Sequence, residues 1–336
     1  MNVSDFDYHL PEERIAQVPM EPREQAKLLV LDRKNETIED RYVFDIPSFL
    51  TPGDLLVFND SKVFKARLHA KTQSGAIIEI FLLRPQDRAE AWLALIKPGR
   101  KVQQGDGLLL EDDTEATVVE KHADGTITLD FHRSPDEVFA LADRFGEVPT
   151  PPYVKASQEN DRAYQTVYAK HTGSVAAPTA GFHFTEHLLD ELRAKGVRIA
   201  FVTLHVGLGT FRPMKTETLE AHEMHEEWTH VPDETADAIA EAKRNGHRVI
   251  AVGTTTVRAL ESAAGQTFSG FTRLFITPGY SFRVIDSLIT NFHLPKSTLL
   301  VLVSSFAGRD FILQAYKHAI EHDYRFYSFG DAMLIK

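Results

Sequence analysis

From about Val63 to Asp130 the chain is a succession of short β-rich apolar runs, at residues 63–68, 76–83, 91–96, 108–110, 116–119 and 126–130. Turn formers separate them, among them Lys97-Pro-Gly-Arg100, Gly105-Asp-Gly107 and Asp124-Gly125. Six short strands at such spacing predict a small barrel or sandwich. A helical segment over 135–145 and the cluster Pro149-Thr-Pro-Pro152 close the block, the prolines acting as a semi-rigid boundary.

Beyond Tyr153 the periods lengthen and alternate. A helix is predicted over 186–195, with Thr185 at its N-cap and Gly196 just past its end, then a strand over 197–204. A helix over 233–244 closed by Gly246, a strand over 247–252, a helix over 255–263, a strand over 273–276 and helices over 297–307 and 310–322 follow. Such alternation implies an α/β domain with a largely parallel sheet and with ligands beyond the carboxyl ends of its strands. Thr51-Pro-Gly-Asp-Leu-Leu-Val-Phe58 also reads as a turn and a buried strand. Residues 1–61 and 150–336 are therefore expected to form one discontinuous α/β domain, with 62–149 inserted into it.

Composition narrows the function. A chain of 336 residues with 43% apolar side chains can bury a large core. It has no apolar run of the ~20 residues that span a bilayer, and its acidic start lacks a signal pattern, so no membrane association and a cytoplasmic location are expected. The absence of cysteine removes disulfides, thiolate metal sites and a thiol nucleophile. A net charge of −11 argues against a generic nucleic-acid coat protein but allows a local basic patch. Residues 62–149 carry 12 basic against 15 acidic side chains, a net of −3, so any RNA footprint there must be a patch. Lys97, Arg100 and Lys101 are the candidates, the alternative being solvated turn charges.

Four polar, glycine-containing segments sit beside predicted strands or helices: Ala177-Pro-Thr-Ala-Gly-Phe-His-Phe-Thr185, Leu204-His-Val-Gly-Leu-Gly-Thr-Phe-Arg212, Gly253-Thr-Thr-Thr-Val-Arg258 and Thr290-Asn-Phe-His-Leu-Pro-Lys-Ser297. With Asp5-Phe-Asp-Tyr-His-Leu-Pro11, Asn59-Asp60, His222-Glu-Met-His-Glu-Glu227 and Tyr327-Ser-Phe-Gly-Asp-Ala-Met-Leu-Ile335, they make the chain resemble the S-adenosylmethionine:tRNA ribosyltransferase-isomerases of queuosine biosynthesis. It departs from that family's pattern at Ala26, Lys27, Lys62 and Lys65. The resemblance implies an α/β barrel-like main domain with an inserted six-stranded antiparallel β-barrel. It also implies transfer of the ribosyl part of S-adenosylmethionine to 7-aminomethyl-7-deazaguanine at the tRNA wobble position, with isomerisation to epoxyqueuosine and loss of adenine and methionine. S-adenosylmethionine is then a consumed substrate, no cofactor or metal is expected, and the enzyme is expected to act on tRNA as a monomer.

That chemistry needs a base for the carbon beside the sulfonium and an acid for the leaving adenine. His183, His205, His222, His225, His293 and Glu227 are the candidates, because His titrates near neutral pH and Glu can be tuned upward by burial. His183, His205, His225 and Glu227 are taken as the catalytic set. Thr179 and Gly181, Gly207 and Gly209, Asn291 and His293 belong to the segments expected to hold substrate, the glycines by permitting close backbone approach. Thr254, Thr255 and Arg258, at a strand–turn–helix junction, are expected to hold an anion, either the methionyl carboxylate or a tRNA phosphate. On a predicted helix His222 and His225 would share a face, but the zinc helix motif spaces its histidines four apart. Two rivals are a metal-dependent hydrolase built on these two histidines and a barrel-based RNA-binding module without catalysis.

Overall fold

In a computed structural model the described residues are 1–86, 90–111, 113–151, 153–154, 163–207 and 213–336. The chain divides into two compact units, one of Met1–Lys62, Pro151–His171 and Ala177–Lys336, the other of Val63–Thr150 and Thr172–Ala176. In chain order the strands are β1 (Lys27–Asp32), β2 (Thr37–Tyr42), β3 (Leu55–Asn59), β4 (Ser61–Val63), β5 (Arg67–Thr72), β6 (Ile77–Pro85), β7 (Ala91–Lys97), β8 (Gly107–Leu110), β9 (Glu115–Lys121), β10 (Ile127–Asp130), β11 (His171–Ser174), β12 (Arg198–Leu204), β13 (Glu227–Val231), β14 (Val249–Val252), β15 (Phe268–Thr272), β16 (Ser287–Asn291) and β17 (Ala332–Ile335).

The smaller unit contains a closed barrel in the order β10-β7-β6-β5-β8-β9, with every neighbouring pair antiparallel. Alternation makes it: β7 buries Ala91, Trp92, Ala94 and Ile96. Closure also leaves no unpaired strand edge. Its helix Pro135–Phe145 begins with a capping box in which Ser134 and Glu137 satisfy each other's backbone N–H, and Pro135 occupies the first turn where its missing N–H costs nothing.

The larger unit is built on nine strands in the order β15-β13-β12-β3-β14-β16-β17-β1-β2. The expected α/β class with an inserted six-stranded antiparallel barrel is therefore the observed one. The sheet itself is mixed rather than largely parallel. β12, β3, β14 and β16 run parallel, as do β17 and β1, while the remaining four pairs are antiparallel. All five residues of β3 are buried, as are all of β14 and β16; β3 up to Phe58 and the whole of β14 are continuous apolar runs, while β16 also buries Ser287, Thr290 and Asn291. The edge strand β2 is charged and largely exposed.

The helices Glu186–Ala194 and Thr298–Ala307 start where Thr185 and Ser297 accept the N–H of Leu188 and Leu300 at 3.2 and 3.1 Å. Gly308, at φ +89°, ends the second and allows the 113° bend into the helix Arg309–Glu321. No single described helix is long and apolar enough to cross a membrane.

Two expectations are corrected. The strand at 273–276 lies instead at Phe268–Thr272, because Thr272 Oγ1 accepts the N–H of Leu274 and the Leu274 carbonyl accepts from Arg258 Nε, which takes both groups out of a ladder. Residues 222–226 are not helical: His222 closes a turn onto the Leu219 carbonyl, and Glu227 opens β13. His222 and His225 consequently share no helix face.

Candidate active site

The parallel strands β12, β3, β14 and β16 end side by side, with Val202 opposite Asn59, Ala251 opposite Val57 and Val252 opposite Ile289. Their carboxyl ends bring Asp60, His205, Gly253 and Phe292 to one rim of the sheet, where open α/β folds bind ligands. β17 is antiparallel to β16 and pairs Ala332 with Asn291, so the segment leading into it reaches the same rim. A cleft of about 600 Å³, counting space open to solvent, lies there. Its polar lining includes Thr179, Thr254, Thr255, Thr290, Asn291, His293 and Ser297, and Tyr153 and Tyr327 form part of its wall.

Asn59 ties three elements together at this rim. Its Nδ2 donates to the Leu204 carbonyl at 2.9 Å and to Thr255 Oγ1 at 3.2 Å, while its Oδ1 accepts from the N–H of Leu204 and Ser61. Every hydrogen-bonding position of the buried amide is used, which sets the helix Thr254–Ser262 against the ends of β3 and β12. Gly253 precedes that helix at φ +93°, a conformation other residues rarely adopt, and its N–H donates to the Ile289 carbonyl. The first backbone N–H groups of the helix therefore open beside Thr254 and Thr255 in the cleft, a favourable place for an anion.

Asn291, at the end of β16, organises the opposite wall. Its Oδ1 accepts from Thr179 Oγ1 at 3.2 Å, and its Nδ2 donates to the Tyr327 carbonyl and to His183 Nε2, each at 3.2 Å. Since Nε2 accepts, His183 is held in the tautomer protonated on Nδ1. Burial, and then the charges of Arg325 and Arg23, push the His183 imidazole down to about 4, so it is neutral at neutral pH. His293 lines the cleft with Nε2 on Thr290 Oγ1 at 3.0 Å, and burial pushes it down to about 3. Tyr327 bears a left-handed backbone, φ +73°, at the cleft. Such strain in a non-glycine residue costs of order 1–3 kcal/mol and collects at functional sites.

His205 follows β12 and precedes Val206, which lines the cleft. Its ring stacks on Trp228 at 5.1 Å, and its buried Nδ1 has no hydrogen-bond partner among the described residues. Burial, with His171 adding, pushes its imidazole down to about 4. Nearby, Asp60 accepts from Thr203 Oγ1 at 2.7 Å and lies 3.6 Å from His171, with its carboxyl raised by burial.

The other expected residues lie elsewhere. Glu227 accepts the Gly207 N–H at 2.8 Å and pairs with Arg258 Nη1, both side chains being 4% exposed. Arg258 therefore spends its charge inside the fold and does not line the cleft. Gly181 is a packing glycine: a Cβ there would meet the Tyr168 hydroxyl at 1.9 Å. His225 is exposed, and Gly209 falls outside the described residues. Tyr164 and Phe182, aromatics suited to stacking on a base, are 1 and 3% exposed and packed in the core, whereas Phe292, 1% exposed, borders the cleft. Asn59, Asp60 and Tyr327 received no individual role from sequence, although Asn59-Asp60 directly after a buried run was the available signal. In the barrel unit, Lys97, Arg100 and Lys101 are all exposed at the turn following β7, where Lys121 Nζ donates to the Gly99 and Val102 carbonyls.

A family model described as queuosine biosynthesis protein matches residues 3–335. S-adenosylmethionine:tRNA ribosyltransferase-isomerases of Thermotoga maritima and Thermotoga petrophila are each 50% identical to the chain over 339 residues, covering 100% of both partners. The crystal structure of S-adenosylmethionine tRNA ribosyltransferase from Thermotoga maritima is 42% identical, covers 99% of this chain and 100% of its own, and superposes with a TM-score of 0.59. With a match over nearly its whole length, the chain belongs to the queuosine biosynthesis protein family.

Proposed function

We propose that the cleft at the carboxyl ends of β12, β3, β14 and β16 is where this enzyme of queuosine synthesis transfers and isomerises the ribosyl moiety of S-adenosylmethionine. The acceptor is 7-aminomethyl-7-deazaguanine at the tRNA wobble position, and the products are epoxyqueuosine-tRNA, adenine and methionine. The observation that carries the assignment is the cleft itself, where a helix N-terminus opens beside neutral buried imidazoles and an amide network. The N-terminal turn of the helix Thr254–Ser262 takes the methionyl carboxylate.

His205 accepts the proton from the carbon beside the sulfonium, because its buried Nδ1 has no partner among the described residues and its imidazole is neutral at working pH. The Thr179–Asn291–His183 array orients the sugar and the leaving adenine. Glu227 acts indirectly, holding the Gly207 backbone and Arg258 in place. No metal takes part: the described cleft lining offers one imidazole, already bonded to Thr290, and no carboxylate. His222 and His225 belong to neither of the side-chain groups among the described residues that are close enough to share an ion. The protein acts in the cytoplasm as a monomer.

Incubation with S-adenosylmethionine and tRNA bearing 7-aminomethyl-7-deazaguanine should release adenine and methionine in step with formation of epoxyqueuosine. RNA binding without consumption of S-adenosylmethionine would refute the assignment and favour a non-catalytic module.

A further inference from the structure

The carboxyl end of the helix Arg309–Glu321 carries His318, and His322 follows as its C-cap. Four residues apart, the two imidazoles lie on one side of the helix, the spacing by which helices present histidine pairs to zinc. Asp40 of the edge strand β2 faces them, with Oδ2 3.0 Å from His318 Nε2. One ligand atom from each of the three residues lies within 4.8 Å of the others. We propose that Asp40, His318 and His322 form a surface site for a divalent transition metal of the zinc type, separate from the cleft and clamping β2 to the last helix.

The surrounding hydrogen bonds already orient the donors. A carbonyl can only accept, so the 2.8 Å contact between His322 Nδ1 and the His318 carbonyl places the proton on Nδ1 and leaves the Nε2 lone pair for a metal. Tyr324 donates its hydroxyl to Asp40 Oδ1 at 2.7 Å, and Oδ2 is the nearer oxygen to His318 Nε2, at 3.0 Å against 3.2 Å for Oδ1. Outer-shell bonds of this kind, imidazole to carbonyl and carboxylate to hydroxyl, accompany metal ligands and fix their geometry. The two rings stack with centroids 3.8 Å apart, so a modest ring rotation is needed to bring both nitrogens to bonds of about 2.0–2.2 Å. The ion takes the place of the Nε2 proton between His318 and Asp40, leaving the imidazole its other nitrogen to carry a proton. Two imidazoles and a carboxylate, with water in the fourth position, favour zinc, nickel or copper over magnesium or calcium.

Zinc titration of the full chain by calorimetry, with melting temperatures recorded in parallel, tests the site without any catalytic assay. The wild type should bind one tight equivalent of zinc, melt a few degrees higher at about a hundredfold excess over the dissociation constant, and respond to magnesium in neither measurement. His322→Ala should weaken the tight site by about tenfold or more and abolish the thermal shift while melting like the metal-free wild type, because His322 is exposed. Asp40→Asn is the second variant, should His322→Ala fold poorly, and should weaken zinc binding likewise. Zinc isotherms unchanged in both variants, or magnesium binding as tightly as zinc, would overturn the proposal and leave a plain aspartate–histidine pair.

Discussion

At the scale of single residues, the imidazoles around the cleft share one property: burial holds His183, His205 and His293 well below the ordinary histidine value. As pH falls through about 6.5 the unfolded chain takes up protons first, so the stability these groups confer is complete above that pH and is lost toward pH 4. A shift this large is worth on the order of 3 kcal/mol per histidine. Urea midpoints should fall between about pH 7 and pH 5, and His183→Asn or His205→Asn should flatten the slope; an unaltered slope would mean these rings are not protonation-limited. The two also separate kinetically. His205→Ala should lower the single-turnover rate by about 10²–10⁴, near 3–5 kcal/mol of barrier, and slow loss of label from S-adenosylmethionine deuterated at the 5′ carbon. If that variant turns over within a few-fold of wild type, another group takes the proton, with His225 or the substrate amine next in line. The residue types of this site were legible in sequence, since polar loops rich in His, Thr and Asn stood out. Their division of labour was not, because whether Arg258 meets a ligand or Glu227 depends on which strand passes beside it.

At the scale of elements, the buried pair between Glu227 at the start of β13 and Arg258 on the helix Thr254–Ser262 joins the antiparallel flank of the sheet to the helix that opens on the cleft. Removing one member of such a pair strands the other charge in the interior, at a cost of about 3–5 kcal/mol, whereas replacing both by apolar groups often costs little. Arg258→Ala should therefore lower the urea midpoint sharply, and Arg258→Met combined with Glu227→Leu should recover much of the loss. Normal melting of Arg258→Ala with weakened S-adenosylmethionine binding would instead make Arg258 a substrate ligand. The capped helices were the most readable elements: Thr185 with Gly196, and a 3.6-residue period over Asp233–Arg244, identify themselves locally. Strands fixed by distant partners were not. β1 reads as an ordinary apolar run, yet its partner β17 lies at the other end of the chain. β13 opens inside the His222–Glu227 run, whose polar residues carry no strand alternation.

At the scale of the whole molecule, a net charge of −11 meets a polyanionic substrate, so attraction to RNA must come from local clusters. The barrel unit offers one at Lys97, Arg100 and Lys101, all exposed around a single turn and none ion-paired with another of the described residues. Their side chains can change without disturbing the turn, because what anchors it is Lys121 Nζ on the Gly99 and Val102 carbonyls. The triple change to Ala should therefore leave the melting temperature in place. Phosphate contacts act through released counterions, and each one lost reduces the slope of log affinity against log salt by about 0.7–0.9. We expect weaker tRNA binding with a flatter salt dependence, while S-adenosylmethionine binding, which we propose for the cleft of the larger unit, stays the same. Filter-binding titrations at several salt concentrations decide the matter: affinity and slope equal to wild type would make these three side chains solvated turn charges and send the search for the tRNA footprint elsewhere.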